Sequence, residues 1–160
     1  MTTAEEVIRH FRLEPHQIEG GHYRETYRSA GPAAAGPGER SLSTAIYYLL
    51  DAGSKSRMHR LPGDEIFHFY AGDPVEMLHL HPDGRVETAV LGNRWAEGDE
   101  PQVVVPGGVW QGARLIDGGT FALLGTTMAP GFDYADYEVG DRAELTRLFP
   151  SAAAQIAGLT

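Results

Sequence analysis

Apolar positions recur along this chain with two different periods. Near the N-terminus Val7, Ile8 and Phe11 fall on one helical face, and Thr3 stands three positions before Glu6, a capping-box spacing. The pattern predicts a short amphipathic helix over residues 3–12 that covers one side of another layer. Pro15 bars its continuation, and Glu19-Gly20-Gly21 supplies the freedom for a sharp turn. From His22 to Ser29 the period changes to two, with Tyr23, Glu25 and Tyr27 on one face and His22, Arg24, Thr26 and Arg28 on the other, as in a strand. The Gly, Pro and Ala residues over 30–38 predict a surface loop.

From Ser43 the chain becomes a succession of strand-length runs: 43–50, 65–71, 75–81, 85–91, 102–105, 109–115 and 120–128. Turn-forming groups separate them, among them Pro62-Gly63-Asp64, Pro82-Asp83-Gly84, Pro106-Gly107-Gly108 and Asp117-Gly118-Gly119. A strand and turn every 8–12 residues or so indicates an all-β sandwich or barrel, and no helical run interrupts it in the manner of a βαβ fold. Near the end, Asp141 precedes Glu144 by three, Leu145, Leu148 and Phe149 form an apolar face, and Pro150 closes this helix. Residues 151–158 either add a second short helix or fray. The chain reads as one domain, residues 1–160.

Composition narrows the function classes. With 42% hydrophobic residues in 160, the chain can build a core without staples, and with no cysteine it has neither disulfides nor thiolate chemistry. A formal charge of −9 repels phosphate backbones, so nucleic acid is not an expected partner. No apolar run reaches membrane-spanning length and no leader pattern opens the chain, so the expectation is a soluble, cytoplasmic protein without a membrane partner.

The chemistry concentrates between His59 and Gly72. His59, Leu61, Glu65 and Gly72 fall on the spacing H-x-H-x3-E-x6-G, with Leu in the second position, and Pro106, Gly108 and Gln111 fall on P-x-G-x2-H, with Gln in the last. These segments resemble the two motifs of the cupin superfamily. Together with Glu19–Ser29, Asp64–Pro74, Gln102–Gln111 and Ala129–Glu138, they resemble an uncharacterised family of small single-domain cupins over nearly the whole chain. The resemblance implies a double-stranded β-helix, a jelly-roll barrel, with short N-terminal and C-terminal helices, a small-molecule ligand in the barrel, and a homodimer. In metal-binding cupins two His and one Glu of the first motif and one His of the second hold a divalent ion. Here only His59 and Glu65 match, Leu61 cannot coordinate, and Gln111 offers a poor amide oxygen. No cofactor is therefore assigned; if a divalent metal ion binds, His59, Glu65 and Gln111 are its ligands.

Without metal, His59 and Glu65 suit proton transfer, because imidazole titrates near neutrality and burial raises a carboxyl pKa. Three functions stay open: an isomerase or epimerase acting through His59 and Glu65 on a sugar-like or keto metabolite, a metabolite-binding protein without chemistry, and a metal-dependent oxygenase or lyase. Within the superfamily that the chain resembles, metal-free cupin epimerases pair a His base with a Tyr acid, and this chain has 7 Tyr. Equally, His59 and Glu65 can satisfy each other as a buried polar pair. Gln111, His68, Trp110 and Arg24 are candidate ligand-binding residues. His68 shares a face with Glu65 only if a bulge or strong twist intervenes, since residues three apart on a strand point oppositely. Trp110 is either a wall of the cavity mouth or core, and Arg24 with Arg28 either holds an anion or pairs with a neighbouring acid. His79 and His81 share a strand face beside a turn, either chelating a metal or simply exposed. The segment Gly131–Glu138 is either a lid or an interface strand.

Overall fold

The structure, a computed structural model, describes residues 2–31 and 40–160, so most of the loop expected over 30–38 lies outside the described residues. In chain order the elements are helix α1 (Ala4–Phe11), strands β1 (Glu14–Pro15), β2 (His22–Arg28), β3 (Thr44–Asp51), β4 (Lys55–Arg60), β5 (Glu65–Gly72), β6 (Val75–Leu80), β7 (Val86–Leu91), β8 (Gln102–Val105), β9 (Trp110–Leu115), β10 (Phe121–Met128) and β11 (Glu138–Val139), and helices α2 (Arg142–Leu148) and α3 (Ala153–Leu159). One sheet runs β1-β2-β3-β10-β5-β8 and the other β11-β4-β9-β6-β7, with antiparallel pairing between neighbours. The long crossovers that place β10 between β3 and β5 make this a jelly roll.

Three apolar clusters hold the layers together, and they account for the sequence pattern. Between the sheets, Tyr48, Leu50, Phe67, Met77, Leu91, Val105, Ala113 and Leu124 interdigitate. On the outside of the first sheet Val7 of α1 and Leu13 just beyond its end are buried against Leu49, Phe121 and Leu123. On the outside of the second, α2 and α3 bury Leu145, Phe149, Ile156 and Leu159 against Met58, Leu78 and Leu80. Strands β3 and β10 read as near-continuous apolar runs because both of their faces are covered. Among the described residues no helix is long and apolar enough to cross a membrane.

The helix starts follow the caps. Thr3 Oγ1 accepts from the Glu6 amide at 3.2 Å, and the Glu6 carboxylate accepts from the Thr3 amide at 2.9 Å. Asp141 accepts from the Glu144 amide at 2.8 Å, with Leu145 buried, but Leu148 is 47% exposed and lies off the apolar face expected for it. Residues 153–159 form α3 after a 3-10 turn at Pro150–Ala152. The run Lys55–Arg60, absent from the strands expected, is β4: its three basic side chains and a bulge hide the alternation.

Candidate functional site: a polar cavity at one end of the barrel

The inner faces of the strands divide along their length. On β3 Tyr48 and Leu50 enter the core while Thr44 and Ile46 line a cavity; on β10 Ala122 and Leu124 enter the core while Thr126 and Met128 line the same cavity. Glu65 on β5 and His59 and Leu61 from the facing sheet complete its interior, and the cavity has a volume of about 510 Å³.

Two bulges aim the polar groups. Ser56 lies opposite Ala113 and His59 opposite Gln111, so three residues of β4 span two of β9. Met58 thereby packs outward under the C-terminal helices, and His59 turns inward with only 1% exposure. On β2, Glu25 faces Ile46 and Tyr27 faces Ala45, leaving Thr26 as the extra residue. Simple alternation would separate Glu25 from Arg28. Instead both line the cavity, and Arg28 donates to the Glu25 carboxylate through Nε at 3.0 Å and Nη2 at 2.8 Å.

Glu19 is the group that inspection of the motifs passed over. Gly20 and Gly21 hold positive φ angles of 98° and 70°, and a Cβ on them would meet the Lys55 carbonyl at 2.4 Å and the Leu49 carbonyl at 2.6 Å. Only glycine lets this turn lie flat against β3 and β4. The Arg57 amide donates to the Glu19 carbonyl at 2.9 Å, and Ser56 Oγ donates to Glu19 Oε1 at 2.5 Å. Glu19 Oε2 then sits 3.9 Å from Nε2 of His59 and 3.9 Å from Nε2 of His16.

The hydrogen bonds assign the tautomers. His59 Nδ1 lies 2.7 Å from the Arg57 carbonyl, which can only accept, so neutral His59 carries its proton on Nδ1 and leaves the Nε2 lone pair free. His16 is the reverse: its Nδ1 accepts from the Glu19 amide at 3.0 Å, so its proton lies on Nε2, toward Glu19. Burial lowers the His16 pKa, with Glu19 partly opposing and His59 reinforcing. Glu65 accepts from Gln111 Nε2 at 2.8 Å; its pKa is raised, first by burial and then by the Glu19 charge. The ring of Tyr137 stacks on His59, centroids 4.9 Å apart at 11°, and burial holds its phenol well above the ordinary tyrosine value. Pairing of β11 with β4 places it there, with Val139 opposite His59 and Glu138 opposite Arg60. The segment Phe132–Tyr137 thus forms one wall of the cavity, held by Phe132 N to Thr44 Oγ1 at 2.9 Å and Arg28 Nη2 to the Phe132 carbonyl at 3.1 Å.

Of the residues singled out from sequence, the structure brings His59, Glu65 and Gln111 together, adds Arg28 and the segment Phe132–Tyr137 to the cavity lining, and leaves His68, Trp110, Arg24, His79 and His81 outside. His68 points to the outer face, within 2.9 Å of Thr127 Oγ1, as the strand period requires without a bulge beside Glu65. Trp110 lies on the outside of the second sheet under the Arg60 guanidinium, 4.5 Å from its ring, and walls no cavity mouth. Arg24 also faces outward, over the Tyr47 ring at 5.7 Å, and only Arg28 of the pair reaches the cavity. His79 and His81 are buried, not exposed, beside a separate pocket of about 210 Å³, and Arg85 and Glu87 occupy both nitrogens of His81.

The donor set does not fit the metal site of the superfamily. Leu61 lines the cavity where a second imidazole would stand, and Gln111 turns an amide N–H, not an oxygen lone pair, toward Glu65. Among the described residues no group of three or more His, Asp or Glu is placed to hold a metal ion.

A jelly roll with His59 and Glu65 facing each other's sheets inside an end cavity defines a cupin-type barrel. The chain belongs to the cupin superfamily (DUF985), whose family model matches residues 5–140. It is 30% identical over 174 aligned positions to the uncharacterized protein YML079W of Saccharomyces cerevisiae, spanning 99% of this chain and 86% of that one. Among solved structures it is similar to protein SO0799 of Shewanella oneidensis (36% identity, TM-score 0.91, 100% of this chain and 98% of that chain). A hypothetical protein from Leishmania major is also similar (33% identity, TM-score 0.90, 99% of each chain).

Proposed function

We propose that the cavity is the site of a small-molecule isomerase or epimerase that moves a proton on a carbon next to a carbonyl. The observation that carries this reading is the pairing of a buried His59 whose Nε2 lone pair faces the cavity with a Glu65 whose burial favours its protonated form. Nε2 of His59 takes the C–H proton, the electron pair moves onto the carbonyl oxygen, and Glu65 gives that oxygen its proton; in an α-hydroxy carbonyl compound the Glu65 carboxylate then takes the proton of the neighbouring hydroxyl while His59 delivers its proton to the former carbonyl carbon, which completes the isomerisation. Glu19, 3.9 Å from Nε2, stabilises by its charge the imidazolium that forms, and the Arg57 carbonyl on Nδ1 holds the tautomer, the part the third member of a triad plays. Gln111 fixes the Glu65 carboxyl, and Tyr137 holds the imidazole plane by stacking. His68, Trp110 and Arg24 have no part in this reading.

The test is exchange of hydrogen for deuterium. A panel of aldoses, ketoses and keto acids is incubated with the protein in D2O and read by NMR and mass spectrometry. Deuterium is expected at the carbon beside the carbonyl of at least one compound, and its incorporation is lost in His59→Ala with the melting temperature kept. If a compound raises the melting temperature but never exchanges, the protein is a metabolite-binding cupin and the catalytic reading is wrong.

A further inference from the structure

The charge and shape of the cavity specify more than its acid and base. Among the described residues Glu19, Glu25, Glu65 and Asp133 line it against a single guanidinium, Arg28, and Arg28 is engaged in its two-pronged bond to Glu25. Glu19 is the informative group. Its side chain is 13% exposed, and its ion-pair partners among the described residues are two imidazoles at 3.9 Å. Burial lowers the pKa of one of them, His16, which keeps it neutral. The other, His59, is 1% exposed, lines the cavity, and has no hydrogen bond to Nε2 among the described residues. A carboxylate withdrawn from water in this way lacks the cationic partner that buried charges ordinarily have.

Around this carboxylate the walls are aromatic. The His16 ring lies 4.8 Å from Tyr23, 6.0 Å from Tyr134 and 6.3 Å from Tyr137, and Tyr137 stacks on His59. Tyr134 and Tyr23 join their hydroxyls at 3.2 Å, which holds both rings at the cavity. Aromatic faces carry negative potential and attract ammonium groups, more so where water is excluded. Phosphate, by contrast, meets the Glu19 and Asp133 carboxylates and, among the described lining residues, no guanidinium free of an acidic partner.

We propose that the cavity binds an organic ammonium compound, an unphosphorylated metabolite whose amino group sits against Glu19 beside the rings of Tyr23, Tyr134 and Tyr137 that line the cavity. The ligand class rests on the cavity being a small-molecule site, and it holds whether or not the site transfers protons. Joined to the proton-transfer reading, it specifies an amino sugar or amino ketone as substrate class.

Binding is measured by ligand-observed NMR and melting-temperature shift at low ionic strength, slightly below neutral pH, with glucosamine, glucose, glucose 6-phosphate and choline as probes. Glucosamine or choline is expected to bind in preference to glucose, and glucose 6-phosphate to bind more weakly than either. Tyr134→Ala is expected to weaken ammonium binding roughly two- to fivefold while Tyr134→Phe preserves it, the range that exposed cation–π contacts provide. Glu19→Gln is expected to remove the preference for the charged probe. Tyr134 is 49% exposed at the rim, so its variants report even if Glu19→Gln fails to fold. Binding of glucose 6-phosphate at least as tight as glucosamine, no binding of either ammonium probe at tens of millimolar, or equal affinity in Tyr134→Ala and wild type overturns the inference. Ammonium binding without deuterium exchange leaves it standing and refutes only the chemistry; exchange on a neutral or phosphorylated carbonyl compound without ammonium preference does the opposite.

Discussion

Acid should loosen this barrel through one histidine. His79 lies on the inner face of β6 between Gln111 and Glu87, is 3% exposed, and its Nε2 has no hydrogen-bond partner among the described residues. Burial lowers its pKa from 6.5 to about 4, with Glu87 opposing and His81 reinforcing. The folded value is below the unfolded one, so between them the unfolded chain binds more protons and stability rises with pH. The contribution is full above about pH 6.5 and is lost as pH falls toward about 4. That separation is worth about 3 kcal/mol in all, of which about 2 kcal/mol disappears between roughly pH 7 and pH 5. Replacing the ring by Leu removes the titration. At neutral pH His79→Leu should match or exceed wild type by about 1 kcal/mol, because an unpaired buried nitrogen is lost. Urea unfolding followed by circular dichroism at the two pH values gives the four stabilities needed. Wild type should lose about 2 kcal/mol more than His79→Leu on acidification. Equal losses in the two proteins would refute the assignment of this slope to His79.

The turn that delivers Glu19 should be intolerant of side chains. Gly20→Ala forces a Cβ to within 2.4 Å of the Lys55 carbonyl at a φ of 98°. It should cost at least about 2 kcal/mol in denaturant unfolding and abolish ligand-induced stabilisation. Glu65→Gln should remove an opposing slope: the raised carboxyl pKa makes the Glu65 contribution to stability fall as pH rises through the range just above 4.5, so across that range the melting temperature of the variant should climb more steeply with pH than that of wild type. Leu61→His places a second imidazole on the cavity wall with His59 and Glu65, and should raise Ni²⁺ or Zn²⁺ affinity measured by calorimetry by at least roughly tenfold.

Much of the fold is legible in the chain because it depends on local rules. The caps at Thr3 and Asp141, the turn glycines, and the strand runs from Ser43 onward each follow from a few adjacent residues. The motif residues His59, Glu65 and Gln111 could be marked in the same way: the first two line the cavity, and Gln111 bonds to Glu65 behind it. Strand β4 could not, because Lys55, Arg57 and Arg60 mask a bulged strand with two covered faces. The local signals for Glu19 and Tyr137 were two glycines after the one and a run of aromatics and acids around the other, and both lie in segments that carry the family resemblance without marking these residues for a role.

What the sequence determined by itself was an all-β barrel with short helical covers and a first motif broken at Leu61, since period, turn chemistry and side-chain chemistry are local properties. What only the tertiary structure decided was the company each side chain keeps. A single inserted residue in β4 and another in β2 reverse the facing of every position beyond them, bringing His59 inward and Arg28 to Glu25. Glu19 between His16 and His59, and Tyr137 on His59, join residues far apart in the chain. Strand parity cannot be counted through a bulge, and contacts between sheets are written in register and packing, which no stretch of sequence contains alone.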